Sequence, residues 1–377
     1  MKGGADSALR RASMRSVILG GGVSGCAVAA ALRGTSLERE AVILEQSRHA
    51  TPIDSGVLLN QTGLTALDVV APEFNWRHAG RLIDSIALRS RSGRTFSETR
   101  IDACVALRGS DFARMLRDAA SGVAFLGGWS FAALERAADG TVLRARLADG
   151  GGVDGDAFFA CDGGHSRARH LIFPEAHLSD TVVEEIVGVA DAPAVAARLG
   201  HSFHKFHDEE GGLAVELLPL NARLVACFLQ FDPLRWTLVS RDRESLRGFA
   251  QEHTAGWAPE IAAAFAAVDY DQARLFQSRD LPPLDEIAVA NLALIGDAAH
   301  TALPFTSQSA NDTLADAALL NNLLHGVVDK DGVQDAFSRY SELRWPHHHR
   351  RFKEGRVLCH EFLAPLPAAG PRVPLVA

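Results

Sequence analysis

The 377-residue chain has no run of about 18 uninterrupted apolar residues, although 47% of it is hydrophobic, and its start shows no charged segment leading into an apolar core. Both absences argue against a membrane span and a secretory leader, so a cytoplasmic protein without a membrane partner is expected. Cysteine is sparse: Cys26, Cys104, Cys161, Cys227 and Cys359 are odd in number and lack metal-ligand spacing. Free thiols are therefore expected rather than a disulfide framework or a metal site. Positive charge is not in excess either. A net charge of -8 argues against a general grip on nucleic acid, which needs clustered Lys and Arg. Lysine occurs only at Lys2, Lys205, Lys330 and Lys353. Repeats, heptads and low-complexity tracts are missing as well. What remains is a chain long enough for two intertwined domains and suited to small-molecule chemistry.

Residues 1–14 carry no apolar face and read as a disordered lead-in. The fold is expected to start near Arg15, where SVIL, GGGVSG, CAVAAALRG and AVILEQ read as strand, turn, helix and strand. Continuous Val, Ile and Leu mark both strands as parallel and covered on each face. Gly20, Gly22 and Gly25 have the spacing of a dinucleotide turn: the first permits the tight turn, the second admits a pyrophosphate, and the third lets helix pack on strand. The helix N-terminus offers free N–H groups to an anion, and Glu45, at the end of the next strand, can accept from ribose hydroxyls. The turn alone suits FAD and NAD equally. Further short strands and helices follow, including the helical readings SDFARMLRDAA and FTSQSANDTLADAALLNNLL. From about Thr181 to Asp280 the text is strand-rich, and FSRYSELRWPHHHRRFKEGRVLCHEFL reads as a closing helix before a flexible Pro-rich tail.

Two later segments decide the cofactor. CDGGHSRAR, from Cys161, and LIGDAAHTALPFTSQSANDTLADAALL, from Leu294, together with the first turn resemble the three fingerprints of the single-component, class A FAD-dependent monooxygenases typified by p-hydroxybenzoate hydroxylase. The likeness spans most of the chain. It implies an α/β fold: a Rossmann-like FAD-binding domain (15–72, 101–180 and 281–330), an intertwined β-rich substrate domain (73–100 and 181–280), and a C-terminal helix and tail (331–377). It further implies that Asp162, Gly163, Ser166 and Arg169 lie near the pyrophosphate and assist pyridine-nucleotide binding. Gly296 and Asp297 would then hold the ribityl chain, and Pro304 to Asn311 would approach the isoalloxazine. The Arg before the helix in VALRGSDFARMLRDAA, Arg108, would contact FAD. By its residues alone, Arg108 equally fits an ordinary helix-flanking arginine, whereas a mere turn aspartate is the lesser reading for Asp297, which sits after an apolar strand and before a long helix. The implied reaction uses NADH or NADPH and O₂ to oxygenate a small, aromatic or electron-rich substrate through a flavin C4a-hydroperoxide. Such sites leave the difficult chemistry to the cofactor, and no acid-base triad is evident.

The sequence departs from the family where glycines usually surround the Gln after the proline: here Thr306, Ser307, Gln308 and Ser309 stand. A Ser forced into left-handed geometry loses roughly 1 to 2 kcal/mol. Pro304, Ser307, Gln308 and Ser309 are the flavin-proximal candidates for a catalytic role. A flavin-dependent halogenase is one alternative, opposed by the absence of a Trp-x-Trp signature and of any lysine between Lys2 and Lys205. A flavoprotein oxidase, reductase or ligand binder is another. His201, His204 and His207 invite a metal reading, but no second ligand cluster accompanies them, and no metal is expected. WPHHHRR, from Trp345, reads as a solvated basic helix face that could also serve a homodimer contact. Asp54, Arg167 and Arg169 fit catalysis, nicotinamide binding or surface ion pairs.

Overall fold

The computed structural model describes residues 14–48, 54–367 and 370–372. The first apolar run forms the strand Arg15–Leu19, whose Val17, Ile18 and Leu19 are fully buried. It pairs in parallel with Glu40–Glu45 on one side and Ala157–Ala160 on the other. The six-stranded sheet continues through Ala124–Gly127 at one edge and Leu292–Leu294 and Ala288–Val289 at the other. The helix Val23–Ala31 is almost wholly Ala, Val, Gly and Cys and is buried from Gly25 onward. Such small residues let it pack between the sheet and the helix Ser309–Leu324. Met14, assigned by sequence to the lead-in, is buried in this same core, because the strand's apolar face extends one residue earlier. Residues 1–13 lie outside the described part.

A second, eight-stranded sheet runs in the order Arg274–Ser278, Val183–Asp191, Leu224–Phe231, Leu213–Pro219, Ser202–His207, Arg81–Ser90, Thr95–Arg108 and Gly56–Leu59. It is antiparallel except where Ser202–His207 meets Arg81–Ser90. One boundary expected from the sequence, and the placing of one segment, fall differently here. Thr95–Arg108 runs unbroken across 100/101, and Gly56–Leu59 pairs with its far end, so the glycine-turn segment itself contributes a strand to the second sheet. The reason is strand length: a 14-residue strand, exposed at its outer half and buried at its inner half, bridges both layers. A three-stranded sheet, Phe131–Arg136, Val142–Leu147 and Gly152–Asp154, flanks the first.

The closing helix is Lys330–Leu363, about 50 Å long at 1.5 Å per residue. Asp329 caps it, accepting from the Gly332 N–H, and Pro346 sits inside it. The segment read as one helix from Phe305 is divided: Pro304–Thr306 forms a 3₁₀ turn, Ser307 takes φ +52° and ψ +31°, and the α-helix starts at Ser309. The described part of the tail, expected to be flexible, is tied down. The Leu366 N–H donates to the Glu209 carbonyl (2.9 Å), and Arg372 pairs with Glu361 (2.9 Å). Among the described residues no helix is long and apolar enough to cross a membrane.

Candidate functional site

A single cavity of about 560 Å³ connects the glycine turn to the second sheet. Gly21, Gly22, Val23 and Ser24 line one end. Gly20 holds φ +104°, and its N–H donates to the Leu44 carbonyl (2.8 Å), which closes the turn on the next strand. A Cβ on Gly25 would stand 1.9 Å from the Gly20 carbonyl oxygen, so glycine lets the helix meet the turn. A Cβ on Gly22 would meet nothing within 4 Å: this position opens onto the cavity. Glu45 accepts from the Gly21 N–H (2.7 Å) and the Ser47 N–H (2.9 Å), which stations its carboxylate beside the turn.

Mid-cavity stands Asp297, at the start of a short helix behind Gly296, whose φ is +60°. A Cβ on Gly296 would lie 2.2 Å from Ser24 Oγ, so the two glycine turns touch. The Ser309 hydroxyl donates to Asp297 Oδ1 (2.8 Å). Pro304, Ser307, Gln308 and Ser309 line the wall that follows. Ser307 thus adopts the left-handed geometry at the cost estimated from the sequence. Gln308 is buried, its Oε1 accepting from Asn60 Nδ2 (3.1 Å) and Arg351 (3.3 Å), while its Nε2 has no partner.

Other predicted residues sit elsewhere. Asn311 is a cross-link rather than a wall: its Nδ2 donates to the carbonyls of Leu58 (3.0 Å) and Ser307 (3.2 Å), and its Oδ1 accepts from the Asn60 N–H (2.9 Å). Asp162 accepts from the Ser166 hydroxyl (2.5 Å) and the Ala168 N–H (3.0 Å), which fixes the start of the helix Arg167–Ile172. Gly163 supplies φ +79° in that turn. Arg169 is buried and donates to the carbonyls of Gly164 (2.5 Å) and Ala298 (3.0 Å), clasping the two loops rather than forming a surface ion pair, whereas Asp54 does form an ion pair, with the partly exposed Arg108. Arg167 is exposed. Arg108 is held through Nε and an NH₂ group by the buried Asp54 (2.6 and 2.5 Å) and does not line the cavity. Arg117, about two and a half helix turns further on, does.

The far wall is the second sheet, where Phe203, Leu218, Phe228 and Phe276 enclose the cavity together with Glu185 and Glu216. Gln230 Nε2 donates to Glu185 Oε1 (2.7 Å), and Lys205 forms an ion pair with Glu216. Burial, then the Glu216 charge, raises the Glu185 carboxyl to about 7; Gln230 and Lys205 oppose the rise. Sequence reasoning passed over these residues. The signal was a polar residue inside each of the apolar runs VVEEIVGVA, LAVELLPL and RLVACFLQFD, where burial makes an unpaired charge costly.

Strand alternation separates the histidines expected to be non-ligating. His204 points opposite to Lys205 and His207, and His201 Nδ1 lies 2.8 Å from the Leu82 carbonyl. A different group converges: His300, Asp316 and His348, all buried. Asp316 accepts from Arg344 Nε (2.6 Å) and the Gly296 N–H (3.1 Å), with His300 Nε2 at 2.7 Å. Burial alone would raise its carboxyl, but Arg344 and then His300 hold it well below the usual range. The group ties the Asp297 turn to the closing helix.

Residues 13–354 match the family model described as FAD binding domain. The chain belongs to this family. Among its relatives, the 3-amino-4-hydroxybenzoate 2-monooxygenase PtmB3 of Streptomyces platensis is 28% identical over 371 residues, covering 93% of this chain and 89% of the relative. An FAD-dependent urate hydroxylase of Klebsiella pneumoniae is 24% identical, covering 84% and 83%. The solved structure of Klebsiella pneumoniae HpxO with FAD and uric acid superposes with TM-score 0.82 at 20% identity, covering 94% of this chain and 90% of that one. The protein is an FAD-dependent oxidoreductase of the monooxygenase kind. The halogenase and non-oxygenating alternatives are not favoured. FAD fits the residues present: Gly22 leaves open space at a helix N-terminus, and Gln308 Nε2 is a buried donor without an acceptor at the other end of the cavity.

Proposed function

We propose that this FAD-dependent enzyme uses NADH or NADPH and O₂ to oxygenate a small, aromatic or electron-rich substrate held against the second sheet. The continuity of one cavity from Gly22 to Glu185 carries the reading, since it gives cofactor and substrate a shared chamber. When bound, FAD supplies the redox chemistry, accepting a hydride from the reduced nicotinamide and activating O₂. The chain's task is placement. The Gly20 to Gly25 turn and the N-terminus of Val23–Ala31 would hold the diphosphate, with Glu45 toward the ribose. Asp297 would accept from ribityl hydroxyls, and its bond from Ser309 fixes the carboxylate for that purpose. Pro304, Ser307 and Gln308 would lie along the ring, where Gln308 Nε2 can donate to a ring carbonyl or nitrogen. Asp162, Gly163, Arg108 and Asn311 would act at one remove, by shaping the loops these groups sit on. The Phe-lined sheet wall excludes water from the reacting region.

The test is oxygen incorporation. Purified chain reconstituted with FAD is mixed with NADH or NADPH under labelled dioxygen and a panel of phenols, aminophenols and purines. A product carrying one labelled oxygen supports the reading. Nicotinamide oxidation yielding only hydrogen peroxide with every compound would overturn it.

A further inference from the structure

The substrate wall of the cavity carries a charge pattern of its own. Four neighbouring strands place Glu185, Gln230, Glu216 and Lys205 on one face of the sheet. All four side chains are buried. Lys205 is spent on Glu216, and Gln230 donates to only one oxygen of Glu185, so the second carboxylate oxygen retains its accepting capacity. Of these, Glu185 and Glu216 line the cavity, with aromatic rings from Phe203, Phe228 and Phe276 around them. Arg117, the only arginine lining the cavity among the described residues, lies on the helix Gly109–Ala119 beside the glycine turn, its guanidinium over Phe125 (5.6 Å). No cation therefore faces the substrate end unpaired; of the two carboxylates there, Glu216 has Lys205 and Glu185 has only the neutral Gln230 amide.

We propose that Glu185 is the substrate-reading residue: it accepts the hydrogen of a ring hydroxyl or amino group, and the acidic wall selects phenols and aminophenols that carry no carboxylate. This rests on the oxygenase reading above and names the substrate class of that same site. The rings satisfy an aromatic body, Glu185 satisfies a donor, and a benzoate would bring a second uncompensated charge into a buried acidic chamber. On a hydroxyl substrate, the O–H bond breaks toward Glu185. The bonding pair stays on the substrate oxygen and the proton forms an O–H bond on the carboxylate, which leaves the ring richer in electrons for attack. No other reactant is needed for that transfer. Glu185, raised to about 7 by burial and by Glu216, sits nearer to a phenol in basicity than an ordinary carboxylate does. The groups facing it are Glu216, Lys205 and Gln230, and of these only Glu216 and Lys205 carry charge.

The experiment measures binding to the oxidised, FAD-loaded full chain through changes in flavin absorbance. The probes are two pairs that differ by one carboxylate: 2-aminophenol against 3-amino-4-hydroxybenzoate, and catechol against 3,4-dihydroxybenzoate. The wild type should bind the uncharged member of each pair about tenfold or more tightly, the effect of one unpaired buried charge. Glu185→Gln, which keeps shape and should retain FAD, should lose about tenfold in affinity for the uncharged members and lose the pH dependence of that binding near neutrality. Benzoates that bind as well as or better than their partners overturn this inference and leave the oxygenase reading intact. So does an absence of binding by all four probes in a protein that oxygenates something else. Failure to take up FAD at all refutes both.

Discussion

Gly22 and Gly25 are three residues apart in one turn, yet alanine at each should fail in a different way. At Gly25 the new Cβ would lie 1.9 Å from the Gly20 carbonyl oxygen and 3.3 Å from Ile18 Cγ2. To reach even a 3.0 Å contact the helix Val23–Ala31 must withdraw by about 1 Å from a turn fixed by the sheet, a strain of the overpacking kind that costs about 1 to 3 kcal/mol. Alanine returns at most about 1 kcal/mol of helix propensity, so a net loss near 1 to 2 kcal/mol is expected before any cofactor is added. At Gly22 the backbone has φ -76°, open to any residue, and the Cβ meets nothing within 4 Å. The cofactor-free protein should therefore change by less than about 1 kcal/mol, the scale of a helix N-cap exchange. The methyl group instead occupies the space left for the diphosphate, and FAD affinity should fall about tenfold, equivalent to about 1.4 kcal/mol. Urea unfolding of the cofactor-free variants, with FAD titration followed by flavin fluorescence, separates the two effects. Wild-type FAD affinity in Gly22→Ala, or an unshifted unfolding midpoint in Gly25→Ala, would refute the reasoning.

Ser307→Gly should be near neutral in thermal unfolding, since relief of the left-handed strain offsets the added freedom of the unfolded chain, whereas Ser307→Val should cost about 1 to 2 kcal/mol. Arg344→Met should destabilise by about 3 kcal/mol, because it takes the shared guanidinium from two buried carboxylates and leaves Asp316 with His300 and Asp312 with Arg351; denaturant unfolding reads this directly. Acid should unfold the protein through His204 and His207. Burial first, then Arg89 and Arg198 for His204 and Lys205 for His207, lowers them to about 4 and about 3. Each is neutral when folded and binds a proton first when unfolded. Their contribution is thus complete above the ordinary histidine value near 6.5 and is lost as pH falls toward the folded values, at about 1.4 kcal/mol per pH unit per group. His204→Gln should flatten that slope in unfolding measured from pH 6.5 to 4.5.

The parallel sheet and the glycine turn were legible because their signals are local: continuous apolar runs and glycines whose spacing reports a backbone need. The 3₁₀ turn before Ser309 was not, since nothing local distinguishes a left-handed Ser from a helical one. Asn311 and Arg169 were read as cofactor contacts, yet both bond to backbone carbonyls of distant segments, Leu58 and Ala298. Partners more than a hundred residues away leave no trace in spacing. Glu185 and Gln230, 45 residues apart, leave no such trace either, because their pairing follows from the register of two antiparallel strands. Their polarity within apolar text was visible, but not the cavity that they face.

The most direct measurement is the structure of the chain with FAD bound. The account predicts the diphosphate over Gly22 at the N-terminus of Val23–Ala31, ribityl hydroxyls on Asp297, and the ring along Pro304 to Gln308 with Gln308 Nε2 donating to it. A flavin ring lodged away from that wall, or a diphosphate that leaves the glycine turn empty, would contradict it.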